Sequence, residues 1–288
     1  MDIVPQLIAN SIIAGSIYTI LALGFNLSFS TGKFIDMGYG VMMVIGGYAV
    51  FYLSKILGLP LPVGILLGLV ISGLVSYLAY TVVYKPLRAR KASGAVLLIA
   101  SLGVLTALQA VIAILFTSQF QTLSGLLSGN RVFEIFGGAI TAVQLTTLAL
   151  GIFLFVILAV ILKYTMCGKA VTAISDDEEV SKIVGINTEK IIGSVFFISG
   201  VIGGLGGMLI GFDTGIEPIM GLPWLLSAVT AVIIGGIGNV YGSIAGGFLL
   251  AFAENFGIWQ IPGEWKSAIT FGILILFLLF RPRGLFPK

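Results

Sequence analysis

The sequence predicts an all-α polytopic membrane protein, and three observations carry that prediction. Of its 288 residues, 58% are hydrophobic and only 9% are charged, against roughly 25% charged in soluble domains. The apolar residues fall in runs close to the ~20 residues a helix needs to cross a bilayer. The alternating short segments of a membrane β-barrel are absent, so helices are the remaining way to satisfy the backbone in lipid. The single cysteine, Cys167, excludes an intrachain disulfide and a cysteine-based metal cluster. The chain has no histidine, which removes the commonest general base and metal ligand.

Nine apolar segments follow in order. The first is about Val4–Phe29, and its N-terminal flank MDIVPQ carries no basic stretch, which argues against a cleaved signal peptide. The turn Ser30-Thr31-Gly32-Lys33 leads to a second segment, about Asp36–Leu57. The third, about Pro62–Tyr84, runs into the basic stretch KPLRARK, and the fourth covers about Gly94–Thr117. A polar connection bearing Arg131 and Glu134 precedes the fifth, about Ala139–Leu162. The sixth to ninth are about Ile191–Phe212, Met220–Ile237, Gly242–Gly257 and Lys266–Phe280. Thirty-nine glycines, many paired inside these segments, indicate closely packed helices, because a backbone without side chains approaches its neighbour in lipid.

Basic residues set the expected orientation. With KPLRARK inside, Lys33, Lys163, Lys169, Lys182, Lys190, Arg281, Arg283 and Lys288 also fall inside, and only Lys55, Arg131 and Lys266 lie outside. About nine spans with the N-terminus out and the C-terminus in satisfy that asymmetry.

The longest polar interruption is Lys163–Lys190, placed in the cytoplasm by this topology. Ser175 and Glu178 have the spacing of a capping box, and Asp176, Asp177, Glu178 and Glu179 suit the positive end of a helix dipole. Val180, Ile183 and Val184 recur at helical spacing as one apolar face. Gly185 is placed to stop the helix, and Asn187 to cap the next one with Glu189 in its first turn. Such a helix is either a solvated loop or a segment built to be held by another protein.

Candidate polar residues for a solute path are few. Glu254 lies near the outer end of its segment; it either faces the path, as carboxylates within membranes often do, or is solvated. Asn10, Asn26 and Gln109 lie within spans, where an interhelical hydrogen bond is the favoured reading. Asp36 with Lys33 reads as a snorkelling pair at a helix end. Thr31-Gly32 before Met37-Gly38 is matched by Thr214-Gly215 before Met220-Gly221, with Asp36 and Glu217 in the gaps, the pattern of an inverted-topology repeat. Thr31, Met37, Gly38, Glu217, Glu254 and Asn26 form the expected path set. GVIGGLGGM and IIGGIGNVYGSIAGG lack a phosphate-loop Lys-Ser/Thr, so they read as packing glycines, and the chain carries no ATPase motif.

Four stretches together, GFNLSFSTG, VVYKPLRARKASGAVLLIASLGVLTALQ, CGKAVTAISDDEEVSKIVGIN and AVIIGGIGNVYGSIAGG, resemble the LivH-type permease of bacterial branched-chain amino acid ABC importers. The resemblance spans nearly the whole chain in order. It implies one transmembrane permease domain over 1–288, with 163–190 as a cytoplasmic coupling-helix loop. By position, the family's ATPase-docking signature falls on Gly168, Lys169, Ala170, Ala173, Ser175, Asp176, Asp177, Glu178, Glu179, Val180, Ile183, Val184, Gly185, Ile186 and Asn187.

It further implies a bacterial or archaeal cytoplasmic (inner) membrane location. The implied partners are a second homologous permease, two cytoplasmic ABC ATPases that use ATP and Mg, an extracytoplasmic solute-binding protein and membrane lipid. No cofactor on this chain, no nucleic acid and no enzymatic activity are implied. Where the family commonly carries Ala-His-Gly, Met37-Gly38 stands here, and related permeases handle urea or short amides. The rivals from other classes are a self-sufficient secondary transporter or channel, which needs coupling-ion residues mid-membrane, and an intramembrane enzyme, which needs a carboxylate pair.

Overall fold

The computed structural model describes residues 3–127, 132–135, 138–259, 261–281 and 284–286; Arg131, Arg283 and Lys288 lie outside them. The chain is helical almost throughout: α1 (Ile3–Gly32), α2 (Tyr39–Val50), α3 (Leu61–Ala79), α4 (Lys85–Ala89), α5 (Gly94–Phe116), α6 (Ala142–Tyr164), α7 (Met166–Asp176), α8 (Glu178–Ile183), α9 (Thr188–Asp213), α10 (Gly221–Gly235), α11 (Val240–Gly257) and α12 (Lys266–Phe280). Two helices change pitch instead of ending. A π-helical stretch, Phe51–Ile56, extends α2, and another, Tyr80–Tyr84, joins α3 to α4. KPLRARK is therefore largely a continuation of the third span.

Among the described residues, seven helices are long and apolar enough to span a membrane. The seventh and eighth expected segments are not independent spans. They form α10 and α11, bent by 118° across a four-residue break. At 1.5 Å per residue, the 15 residues of α10 reach about 22 Å, short of a ~30 Å hydrocarbon core. The break holds Gly236 at φ 109° and Gly238 at φ 83°, which glycine alone adopts without strain. By length and composition the described helices give seven candidate crossings, or eight with the bent pair counted once, against the nine expected. One further departure is a pair of short antiparallel strands, β1 (Val132–Ile135) and β2 (Gly138–Thr141), ahead of α6.

The chain divides into two compact units. In the unit of residues 27–126 and 156–222, α2, α3 and α9 form the core. Their seam is lined with small residues: Gly46 lies against the backbone of Gly204, Gly207 against Met43, and Gly200 against Ser72 and Ser76. Ser76 donates to the carbonyl of Phe196 across the seam at 2.7 Å. At one end, buried Phe34, Tyr80, Tyr84 and Phe196 cluster with Leu97, Ile174 and Ile192.

In the other unit (residues 1–26, 127–155 and 223–288), α10 and α11 cross where Gly235 meets Gly242 and Gly246 meets Ala231. The free carbonyls at the end of α10 are taken by the tail: Leu285 N–H donates to Ile234 O (2.8 Å) and Phe286 N–H to Gly235 O (3.0 Å). Asn239 caps α11 by accepting from Tyr241 and Gly242.

Candidate functional site

The coupling-loop candidate lies within the first of these units and is more ordered than a polar loop. Its first half is α7, begun by Thr165, whose hydroxyl accepts from Gly168 N–H at 3.0 Å. Gly168 is buried against the backbone of Ile161 and Leu162, where a side chain has no room. Lys169 is exposed, and Ala170 and Ala173 are half-buried.

The expected capping box is absent, because α7 continues through Asp176 and leaves Ser175 buried in its last turn. The cap of α8 is Asp177 instead, whose Oδ1 accepts from Glu179 N–H (2.8 Å) and Val180 N–H (3.0 Å). Gly185 stops α8 as expected, at φ 89°. Ile186 N–H reaches Ser181 O and Gly185 N–H reaches Lys182 O, the paired bonds of a Schellman motif. Asn187 then caps α9 by accepting from Lys190 N–H at 3.1 Å.

The apolar stripe on α8 is uncovered: Val180, Ile183 and Val184 are 54%, 83% and 69% exposed. Its opposite side is clamped to the unit. Glu178 accepts from Arg88 of α4 and pairs with Lys182 at 2.8 Å, while Asp176 and Glu179 remain exposed. Nη1 of Arg88 is buried with no hydrogen-bond partner. Lys33, at φ 61° just past α1, donates its Nζ to the carbonyl of Ser175, and Lys85 pairs with Glu189 at 2.9 Å. Lys33, Lys85, Arg88, Glu178, Lys182 and Glu189 line an open cavity of about 550 Å³.

Lys33 is therefore not the partner of Asp36. Asp36 is buried and its Oδ1 accepts from the Tyr84 hydroxyl (2.7 Å) and from Gly38 N–H (2.9 Å). Burial pushes its carboxyl up to about 6, against the pull of those donors and of Tyr39 N–H. Sequence reasoning missed Arg88, Lys33 and Tyr84. One signal was available: a basic run at one span end and the acidic run Asp176–Glu179 in the loop have complementary charge.

The six path candidates divide between the two units, and within neither unit do they form one site. Thr31, Met37 and Gly38 share the turn before α2. Thr31 donates back to Leu27 O (3.1 Å), and Met37 N–H donates to Ser101 Oγ of α5 (3.0 Å). Glu217 lies past α9, at the opposite end of the parallel α2–α9 pair; its carbonyl accepts from Met220 N–H, as Asp36 O accepts from Tyr39 N–H. That turn is held by a bridge between Gln121 and Ile216.

In the other unit, Asn26 secures the helix break. Its Nδ2 donates to Asn239 O (3.1 Å) and Ser243 Oγ (2.8 Å), and its Oδ1 accepts from Gly238 N–H (2.7 Å). Glu254 is fully buried, not solvated. It accepts from Tyr18 and Thr270 and has Lys266 at 3.5 Å, beside a cavity of about 160 Å³ that includes Trp224 and Ser227. Asn26 and Glu254 serve different places, since eleven residues of helix separate Ser243 from Glu254, about 16 Å.

Comparison with known proteins agrees with this architecture. The chain is 28% identical to the high-affinity branched-chain amino acid transport system permease protein BraD of Pseudomonas aeruginosa, over 98% of this chain and 95% of that protein. It is also 28% identical, with the same coverage, to the permease protein LivH of the corresponding Escherichia coli system. A solved structure, PsaBC from Streptococcus pneumoniae in complex with Fab, aligns with a TM-score of 0.55 at 13% identity, covering 98% of this chain and 93% of that one, and shows the fold. Residues 7–278 match the family described as branched-chain amino acid transport system / permease component. With its apolar spans, the chain belongs to that family: it is a multi-pass membrane permease, a part of a transporter and not an enzyme.

Proposed function

We propose that this chain is the permease subunit of an ABC importer in the cytoplasmic (inner) membrane, translocating branched-chain or related hydrophobic amino acids. Two cytoplasmic ATPases supply the energy through ATP and Mg. A second homologous permease completes the pathway, and an extracytoplasmic binding protein delivers the solute. The single observation that carries this reading is α8. It is capped at both ends, anchored on one side by Arg88 of α4, and presents exposed Val180, Ile183 and Val184 on the other. An amphipathic helix with one anchored and one open side suits docking into a groove of a partner protein. The names of the relatives support the solute class.

A second reading, a permease for urea or short amides, is favoured by Met37-Gly38 in place of the family's common Ala-His-Gly. Purification from native membranes tests the first reading: ATPase subunits and a second permease should co-purify. Isolation as a homo-oligomer that transports alone would replace it with a secondary transporter. Uptake by the purified complex of labelled leucine, but not urea, separates the two solute classes.

A further inference from the structure

We propose that Arg88 and Tyr84 are positioning residues that relay the placement of α8 to the turn opening α2. The inference rests on the reading that α8 is the ATPase-docking helix. Each link lies within one compact unit. Glu178, the first residue of α8, is bonded by Arg88 of α4, with side chains only 17% and 23% exposed. A charge-assisted contact with this little solvent around it is held more firmly than a surface pair. Arg88 stands four residues, one helical turn, beyond Tyr84, so the two sit on the same helix face.

Tyr84 is fully buried and donates to Asp36 Oδ1 at 2.7 Å. The same oxygen accepts from Gly38 N–H, and the Asp36 carbonyl accepts from Tyr39 N–H, the first residue of α2. There is little slack in the assembly. The Tyr84 ring meets Phe34 edge-on at 5.0 Å and Phe196 at 5.7 Å. A methyl group built on Gly38 would come within 2.6 Å of the Tyr84 hydroxyl. Close-packed side chains of this kind transmit displacement instead of absorbing it.

The π-helical stretch Tyr80–Tyr84 lies directly above Arg88. It lets α4 shift relative to α3 without breaking the span, since such stretches are places where a helix accommodates local change. The other ties of the loop do not start on α8. Lys85 meets a Glu189 of α9 whose side chain is 58% exposed, and Lys33, in the turn itself, meets a backbone carbonyl of α7. Of these contacts, the Arg88 contact is the one that leads from α8 toward the turn that carries Met37 and Gly38.

Hydrogen–deuterium exchange on the purified permease, without ATPase, tests the relay directly. In Glu178→Ala, which removes the acceptor of Arg88, the amides of Gly38 and Tyr39 should exchange about three- to tenfold faster, the range set by losing roughly one hydrogen bond's net contribution. Tyr84→Phe, which keeps the ring and its packing, should do the same. The double variant should add little beyond either single change, as expected for residues in one chain of contacts.

In the complete importer, Tyr84→Phe should retain ATPase and hydrolyse ATP while moving about three- to tenfold less solute per ATP. Asp36→Asn, whose side-chain oxygen still accepts, should stay near wild type. Unchanged exchange at Gly38 and Tyr39 in Glu178→Ala, or fully additive effects, would overturn the relay. A permease that captures no ATPase would defeat the functional reading instead, while the exchange data would still decide the relay.

Discussion

The hydroxyl of Tyr18 donates to the carboxylate of Glu254, joining the first helix to the eleventh within one unit. Thr270 supplies a second hydroxyl and Lys266 a nearby ammonium, which also lies 5.8 Å from the centre of the Tyr18 ring. A fully buried carboxylate is tolerated because these donors replace the water it has lost. Glu254→Gln keeps the shape and an acceptor but removes the charge. It should leave the protein inserted and assembled while lowering solute uptake. Glu254→Leu should instead destabilise the permease, because the buried Tyr18 hydroxyl loses its acceptor, at about 1–3 kcal/mol for a buried group left unpaired, while Thr270 keeps the Lys266 carbonyl at 3.1 Å. Uptake assays with thermal melting in detergent read both outcomes; wild-type uptake in Glu254→Gln would make the residue purely structural.

The contact of Gly46 with the backbone of Gly204 fixes how closely α2 approaches α9. A Cβ at Gly46 would run into main-chain atoms, which cannot rotate away. Gly46→Ala should therefore lower stability by about 1–3 kcal/mol, the usual cost of overpacking. Gly103, within α5, has nothing within 4 Å of an added Cβ. Gly103→Ala should be neutral or stabilising by about 0.5–1 kcal/mol, from better helix propensity. Equal melting temperatures for the two variants would contradict the close-packed seam.

Asp36 sets a pH dependence whose sign follows from its surroundings. Its carboxyl is raised from 3.8 to about 6 by burial, so the folded state binds the proton more tightly than the unfolded chain. Its contribution is then fully present below pH ~4 and is lost as pH rises through about 6, with no further change above. The span of about two pH units corresponds to roughly 2–3 kcal/mol. Asp36→Asn should flatten the melting profile between pH 4 and 6. A profile parallel to wild type across that window would show that Asp36 does not titrate there.

How much was legible depended on whether one residue or a distant pair carried the information. The spans could be read because bilayer thickness imposes a length on any apolar run. Gly185 and Asn187 could be read because their capping roles are set by neighbours a few residues away. The cap of α8 was misplaced by two residues, since Ser175 is as good a cap as Asp177 until α7 is seen to run through Asp176. The bend between α10 and α11 was hidden because Gly236 and Gly238 resemble the many packing glycines around them. Arg88 could be counted as a basic residue, but its partner Glu178 is ninety positions away, and only the fold brings them together. Glu254 was left open between the path and solvent for the same reason: its donors come from α1 and α12.

The final prediction concerns α8, whose outer face is the most exposed apolar stripe of the 163–190 segment. Ile183, at 83% exposure, gains nothing for this chain by being isoleucine. Burying such a side chain in a partner's groove contributes about 1.5–3 kcal/mol, or roughly one to two decades of affinity. A few central residues usually dominate small interfaces of this kind. Ile183→Asp should therefore leave the permease folded and in the membrane but unable to retain its ATPase. Its own caps, Asp177 and Gly185, are untouched by the change. Gly185→Val acts differently. Nothing lies within 4 Å of its added Cβ, but φ 89° strains a branched residue, so the helix end distorts while the stripe survives. Its loss of ATPase should be partial. A pull-down of the ATPase with each variant, alongside uptake, orders the three proteins as wild type, Gly185→Val, Ile183→Asp. Full ATPase retention with normal uptake in Ile183→Asp would show that the stripe docks nothing and that α8 is only a well-capped turn between two spans.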